Sequence, residues 1–224
     1  MLTALNIALP LLATALALWL RPWRLVGPDG PPTPWWVLAA CMPLLWSLDL
    51  ASKIAIAQPL SFAPLLVLLA GWPMAVLICW PVAIAAALLA PLDPLEACHR
   101  LLWLGIAPAT FALAIGALLR RILPHHFFVY IIARAFLGTI AASTLAAAGA
   151  IALHPTPVGT AEDDLLLARL LAAFGEAFLT GMVTAIGVAF RPHWLATYSD
   201  RLYLPPKPAA PRPTRTDDPP SPGA

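Results

Sequence analysis

Charge is what this chain has least of. Asp, Glu, Lys and Arg make up 11% of its 224 residues, against about 25% in an average soluble domain. So thin a charged shell excludes an ordinary globular protein in water. A hydrophobic content of 61% excludes a disordered chain more firmly. Charge of one sign is scarce too: 13 Lys+Arg against 11 Asp+Glu leave +2, too little for a nucleic-acid surface. The three cysteines, Cys41, Cys79 and Cys98, lie in or beside apolar runs. They form no CxxC pair, so neither a disulfide framework nor a zinc ribbon is indicated. No HExxH, GxSxG or phosphate-cradling glycine loop occurs, and the chain is not read as an enzyme. Period-two alternation is missing as well, which excludes a β-barrel.

What is present is a series of long apolar runs. Residues 3–20 are apolar throughout and approach the roughly 20 residues of a bilayer span. No Lys or Arg precedes Arg21, whereas a secretory signal would open with positive charge. This run is therefore read as a retained first helix. A proline-rich break at 27–34 leads to a second apolar segment, 35–50, opened by Trp35 and Trp36, rings suited to a headgroup boundary. Residues 60–90 are apolar but interrupted by Pro64, Gly71, Pro73 and Pro81. As one helix they would overshoot a core of about 30 Å. They are divided into a short span, 60–71, and a second, 73–90. Pro91–Pro94 turns the chain, and spans follow at 101–119, 127–153 and 165–190. The reading is an all-α polytopic transmembrane bundle of six to seven spans.

The distribution of positive charge orients it. With the N-terminus outside, the inner loops hold Arg21, Arg24, Arg120, Arg121, Arg191, Arg201, Lys207, Arg212 and Arg215. The outer loops hold Lys53 and Arg100, with Arg169 one turn inside the outer end of the last span. Nine against two or three favours a cytoplasmic C-terminus under the positive-inside rule. Residues 1–204 form the membrane domain. Residues 205–224 contain eight prolines and read as a disordered cytoplasmic tail.

Charges at bilayer depth cost at least about 2.5–3.5 kcal/mol on insertion scales, so each asks for a partner or a cavity. Asp49 and Lys53 are spaced i,i+4 at the outer end of the second span. They read as an interfacial ion pair or as a cation-attracting mouth. Arg134 lies one to two turns into the sixth span and Glu176 about three turns into the seventh. Glu176, Thr180 and Thr184 form one stripe, and Ser143 and Thr144 give the sixth span a polar patch. These groups are either helix–helix glue or a substrate pathway. Gly175, Gly181 and Gly187 offer small surfaces for close packing. Cys98–His99 and Cys41–Met42 are adjacent in sequence and point apart on a helix, and His125–His126 has no further ligands nearby, so no metal-ligand set is assigned.

Three blocks carry a resemblance: Leu-Pro-His-His-Phe-Phe-Val-Tyr-Ile at 123–131, Gly-Glu-Ala-Phe-Leu-Thr-Gly-Met at 175–182, and Arg-Pro-His-Trp-Leu-Ala-Thr-Tyr-Ser-Asp-Arg-Leu-Tyr-Leu at 191–204. The chain resembles a bacterial membrane family similar to the cobalt/nickel energy-coupling-factor permeases. The resemblance implies a substrate-binding permease subunit of an ABC transporter in the bacterial inner membrane. Its partners would be a transmembrane coupling subunit and ATPase subunits, its cargo a small transition-metal ion, with no cofactor. Those permeases carry a histidine directly after the initiator methionine and another in the third-helix region. The positions here read Leu2 and Ala63, so a divalent ion needs replacement ligands. His125, His126, Arg191, Trp194, Tyr198 and Arg201 are candidates for docking a coupling partner, the last four also for anchoring at the inner interface. A second reading is a membrane accessory or assembly protein. One shared cavity lined by the mid-helix polar groups favours transport; their dispersal into separate helix contacts favours the accessory role.

Overall fold

The computed structural model describes residues 2–27, 30–52, 58–90, 92–124, 126–154, 161–199 and 203. Eight helices follow in chain order among them: α1 (Leu2–Trp19), α2 (Thr33–Trp46), α3 (Leu48–Ser52), α4 (Ala63–Ala70), α5 (Trp72–Leu89), α6 (Pro94–Ile122), α7 (Phe127–Leu153) and α8 (Glu162–Phe190). Short 3₁₀ turns occupy Pro22–Leu25 and Pro192–Trp194. No strand forms among the described residues; Gly27 and Gly30 make an isolated bridge.

Four helices, α5 to α8, are long and apolar enough to cross a membrane. The chain is thus an all-helical multi-pass membrane protein. The apolar run 35–50 does not form one helix: it ends at Ser47 and resumes as the five-residue α3. The run 60–71 does not form a span either. Its helical part, α4, has eight residues, about 12 Å at 1.5 Å per residue. Gly71, at φ 78°, separates it from α5, and Pro73 supplies the fixed φ of a first helical turn.

Each residue of α4 is buried. A helix hydrophobic on every side belongs in the core, and α4 is wrapped by α2, α5, α6, α7 and α8. Its Leu66 and Val67 share one buried cluster with Trp46 and Val76. α5 also packs on α1 and α2, while α6 lies along α7 and α7 along α8. Indole N–H groups tie the layers: Trp72 Nε1 donates to Thr110 Oγ1 at 3.1 Å and Trp80 Nε1 to Thr14 Oγ1 at 2.7 Å. Gly105 allows a close crossing, since a Cβ there would meet Trp46 at 3.0 Å and Cys79 at 3.1 Å. Of the three glycines on α8, Gly181 meets Phe136 and Gly187 meets Leu195, while Gly175 faces open space. Large apolar side chains such as Leu88, Phe178 and Phe190 point outward, as a lipid-facing surface requires.

Two long helices are locally widened. Leu101–Ile106 of α6 and Tyr130–Leu137 of α7 take π geometry, which is uncommon and frequent at functional sites. Each wide turn borders a buried charge: Leu104 of the first accepts from Ser61, whose amide holds Glu176, and Arg134 lies in the second.

Candidate functional site: a carboxylate at a helix break

Glu176 is the midpoint of α8, fourteen residues from Glu162 and fourteen from Phe190. At about 1.5 Å per residue it lies about 21 Å from either end. It is 2% exposed. Its side chain turns toward the backbone that enters α4. Oε2 accepts from the Ser61 amide at 3.1 Å and Oε1 from the Phe62 amide at 3.0 Å. Oε1 also accepts from Ser143 Oγ of α7 at 3.3 Å.

Phe62 makes this arrangement. Its φ of 52° is left-handed, a conformation that costs a non-glycine residue about 1–2 kcal/mol. Two successive amides thereby face one anion, the concave nest that commonly binds phosphate or carboxylate. The positive end of the α4 dipole adds to it. Ser61 locks the turn: its hydroxyl donates to the Leu104 carbonyl at 2.6 Å and accepts from the Ala63 amide at 3.1 Å. Leu104 lies in the wide turn of α6. The Ser61 carbonyl accepts from Trp46 Nε1 at 3.0 Å.

A partly open pocket of about 30 Å³ adjoins the carboxylate, room for a water or two. Ser61, Ser143 and Glu176 line it, with Gln58, Trp103 and Arg169. Arg169 brings a buried Nε without a hydrogen-bond partner. The pocket therefore holds one carboxylate, one guanidinium and several neutral oxygens.

The far end of α4 is tied to the segment that follows α8. Ala196 donates its amide to the Leu69 carbonyl at 2.9 Å, and Thr197 Oγ1 donates to the Leu68 carbonyl at 3.0 Å. Bare helix ends are not tolerated in hydrocarbon. α8 and the segment after it satisfy both ends of α4.

The other named residues divide into three groups. Asp49 does join an ion pair, and its described partner is Arg100: Nη1–Oδ1 is 2.9 Å and Nη2–Oδ2 2.7 Å, the two-pronged fork of strong pairs. Arg100 Nε also donates to Glu96 at 2.9 Å, and Nη1 to the Trp46 carbonyl. Lys53 lies outside the described residues, as do His125 and Arg201. At this same end, His99 and His154 stand edge to face at 4.4 Å, and Asn6 Nδ2 is 3.2 Å from His154 Nε2.

Thr180 and Thr184 are fully buried on the Glu176 face, and their hydroxyls have no partner. Arg134 does not meet Glu176. It sits 7% exposed at the end of the bundle that carries Arg120 and Arg121. Its Nη1 makes a long, 3.5 Å bond to the Thr197 carbonyl, and its guanidinium lies 5.5 Å from the Tyr130 ring centroid.

The docking candidates are not uniformly exposed. Arg191 is exposed and stacks 6.0 Å from Trp194. His126 is exposed and caps α7, its Nδ1 accepting from the Phe128 amide at 3.3 Å. Tyr198 is buried in a cluster with Tyr130 and Tyr203.

Arg100, the Ser61–Phe62 nest and the His99–His154 pair were missed from sequence. Glu96–Arg100 at i,i+4 was a local signal for the first. The nest left none, because its donors are main-chain amides. Among the described residues no three His, Cys, Asp or Glu side chains gather as a metal would need. Compared with protein-family models, curated proteins and solved structures, the chain matches none.

Proposed function

We propose that the chain is the membrane-embedded, substrate-binding subunit of a transporter of the energy-coupling-factor type, with a small divalent cation as cargo. It would cross the bacterial inner membrane several times, N-terminus outside and Arg120 end in the cytoplasm. The three sequence blocks supply the resemblance, and cobalt or nickel is the cargo it implies.

One observation carries the reading: α4 is held at one end by Glu176 and at the other by Ala196 and Thr197. Broken helices at mid-membrane are where secondary transporters place their sites. A cation that takes the Glu176 carboxylate competes with the Ser61 and Phe62 amides. Their release frees the start of α4. The other end of α4 touches the segment that carries Arg191, Trp194 and Tyr198, so occupancy at mid-membrane is transmitted to the face where a coupling subunit would dock. Ser143 and Glu176 share one cavity, which supports transport, whereas Thr180, Thr184, Arg134 and Asp49 lie outside it, as the accessory reading expects. That cavity offers oxygen donors, which suit hard cations better than nickel or cobalt.

The test is the cation content of the protein purified in mild detergent without chelator. Mass spectrometry after incubation with cobalt, nickel, manganese or magnesium is expected to find one near-stoichiometric ion, lost in Glu176→Gln. An empty protein under all four conditions overturns the transport reading and leaves the accessory role.

A further inference from the structure

Among the described residues Arg134 is a buried cation without a counter-charge. Its Nε has no hydrogen-bond partner, and no carboxylate pairs with it among the described residues. Gly116 of α6 gives it space: a Cβ there would lie 2.9 Å from Nε. The guanidinium is pressed against the backbone of α6, and the long bond to Thr197 is weak compensation. An unpaired ion so placed costs several kcal/mol.

Beside it opens a second pocket, of about 20 Å³, lined by Arg120, Arg134, Tyr130, Tyr203 and the apolar Leu123 and Val129. Arg120 is exposed, so two arginines line a pocket that is otherwise apolar and aromatic. Arginine forks match phosphate geometry. On the adjoining stretches of α6 and α7, Leu118, Ile122, Phe128 and Ile132 are all more than half exposed. They form an apolar apron on the surfaces of α6 and α7.

We infer that the open mouth of this pocket binds the phosphate headgroup of an anionic phospholipid beside Arg120 and Arg134, with its acyl chains along Ile122, Phe128 and Ile132. The apron distinguishes a lipid from a soluble anion, since free phosphate gains nothing from it. Basic pockets between helix ends on the cytoplasmic side hold such headgroups in other membrane proteins. The wide turn Tyr130–Leu137 places Tyr130 beside Arg134, which lies over Gly116.

The experiment follows thermal unfolding of the full chain in neutral detergent, with phosphatidylglycerol, phosphatidylcholine or inorganic phosphate added. Phosphatidylglycerol is expected to raise the midpoint by several degrees, phosphatidylcholine to leave it unchanged, and phosphate to act only weakly. Arg120→Gln, at an exposed position, keeps the fold and should need on the order of fivefold more phosphatidylglycerol for the same shift. Arg134→Lys keeps the charge, loses the fork and should also bind more weakly. Equal stabilisation by both lipids, or an unchanged response in both variants, overturns the site. A full shift with inorganic phosphate, to which phosphatidylglycerol adds nothing, overturns the lipid in favour of a soluble anion.

Discussion

Glu176 and Arg134 are both charged and both nearly sealed from solvent, yet their surroundings are opposite. Glu176 has three hydrogen bonds, two from main-chain amides. Arg134 has one long bond, an aromatic ring and an unpartnered Nε. Each lies beside a wide turn of a long helix, Glu176 through Ser61 and Leu104, Arg134 within the turn itself. The contrast teaches that burial alone does not define a site. A saturated charge takes a ligand only by giving up bonds that hold the fold; an unsaturated one takes it without that exchange.

Removing each charge sharpens the contrast. Glu176→Ala should cost about 3–5 kcal/mol, because it strands two buried amides at the start of α4. A drop in the thermal midpoint in detergent, followed by tryptophan fluorescence, would show it. Arg134→Met, of similar length and no charge, should cost less than about 1 kcal/mol in lipid-free detergent, and a gain is consistent with removing an uncompensated ion. Equal losses for the two variants would break the comparison. Ser143→Ala removes the longest of the three bonds to Glu176 and should cost about 1 kcal/mol by the same measurement. The smallest effect is expected of Thr184→Val. Its hydroxyl is buried without a partner, so the change should stay within about 0.5 kcal/mol. Lost cation binding with an unchanged midpoint in this variant would show that the hydroxyl serves cargo rather than packing.

The helical membrane class was legible because apolar runs and scarce charge dictate it. The break at Gly71 was legible too, from Gly71 and Pro73 together. The nature of α4 was not: eight apolar residues look alike whether they end a span or form a buried half-helix. Glu176 stood out by the cost of its depth, but its partners did not, since Ser61 and Phe62 act through their amides 115 and 114 residues away. Asp49 suggested its neighbour four residues on, whereas Arg100, 51 residues away, makes the described pair. Arg134 and Glu176 share adjacent helices, yet depth along each helix separates them.

The half-helix also has a history within each molecule's synthesis. α4 leaves the ribosome long before the groups that complete it: Glu176 follows Ser61 by 115 residues, and Thr197 follows Leu68 by 129. At about 5–20 residues per second, its amides and carbonyls wait on the order of ten seconds for their partners. During that interval a segment with both ends open cannot rest in lipid. It must stay in a wet or chaperoned environment until α8 arrives, so the last helix to be made is the one that seals the centre of the bundle.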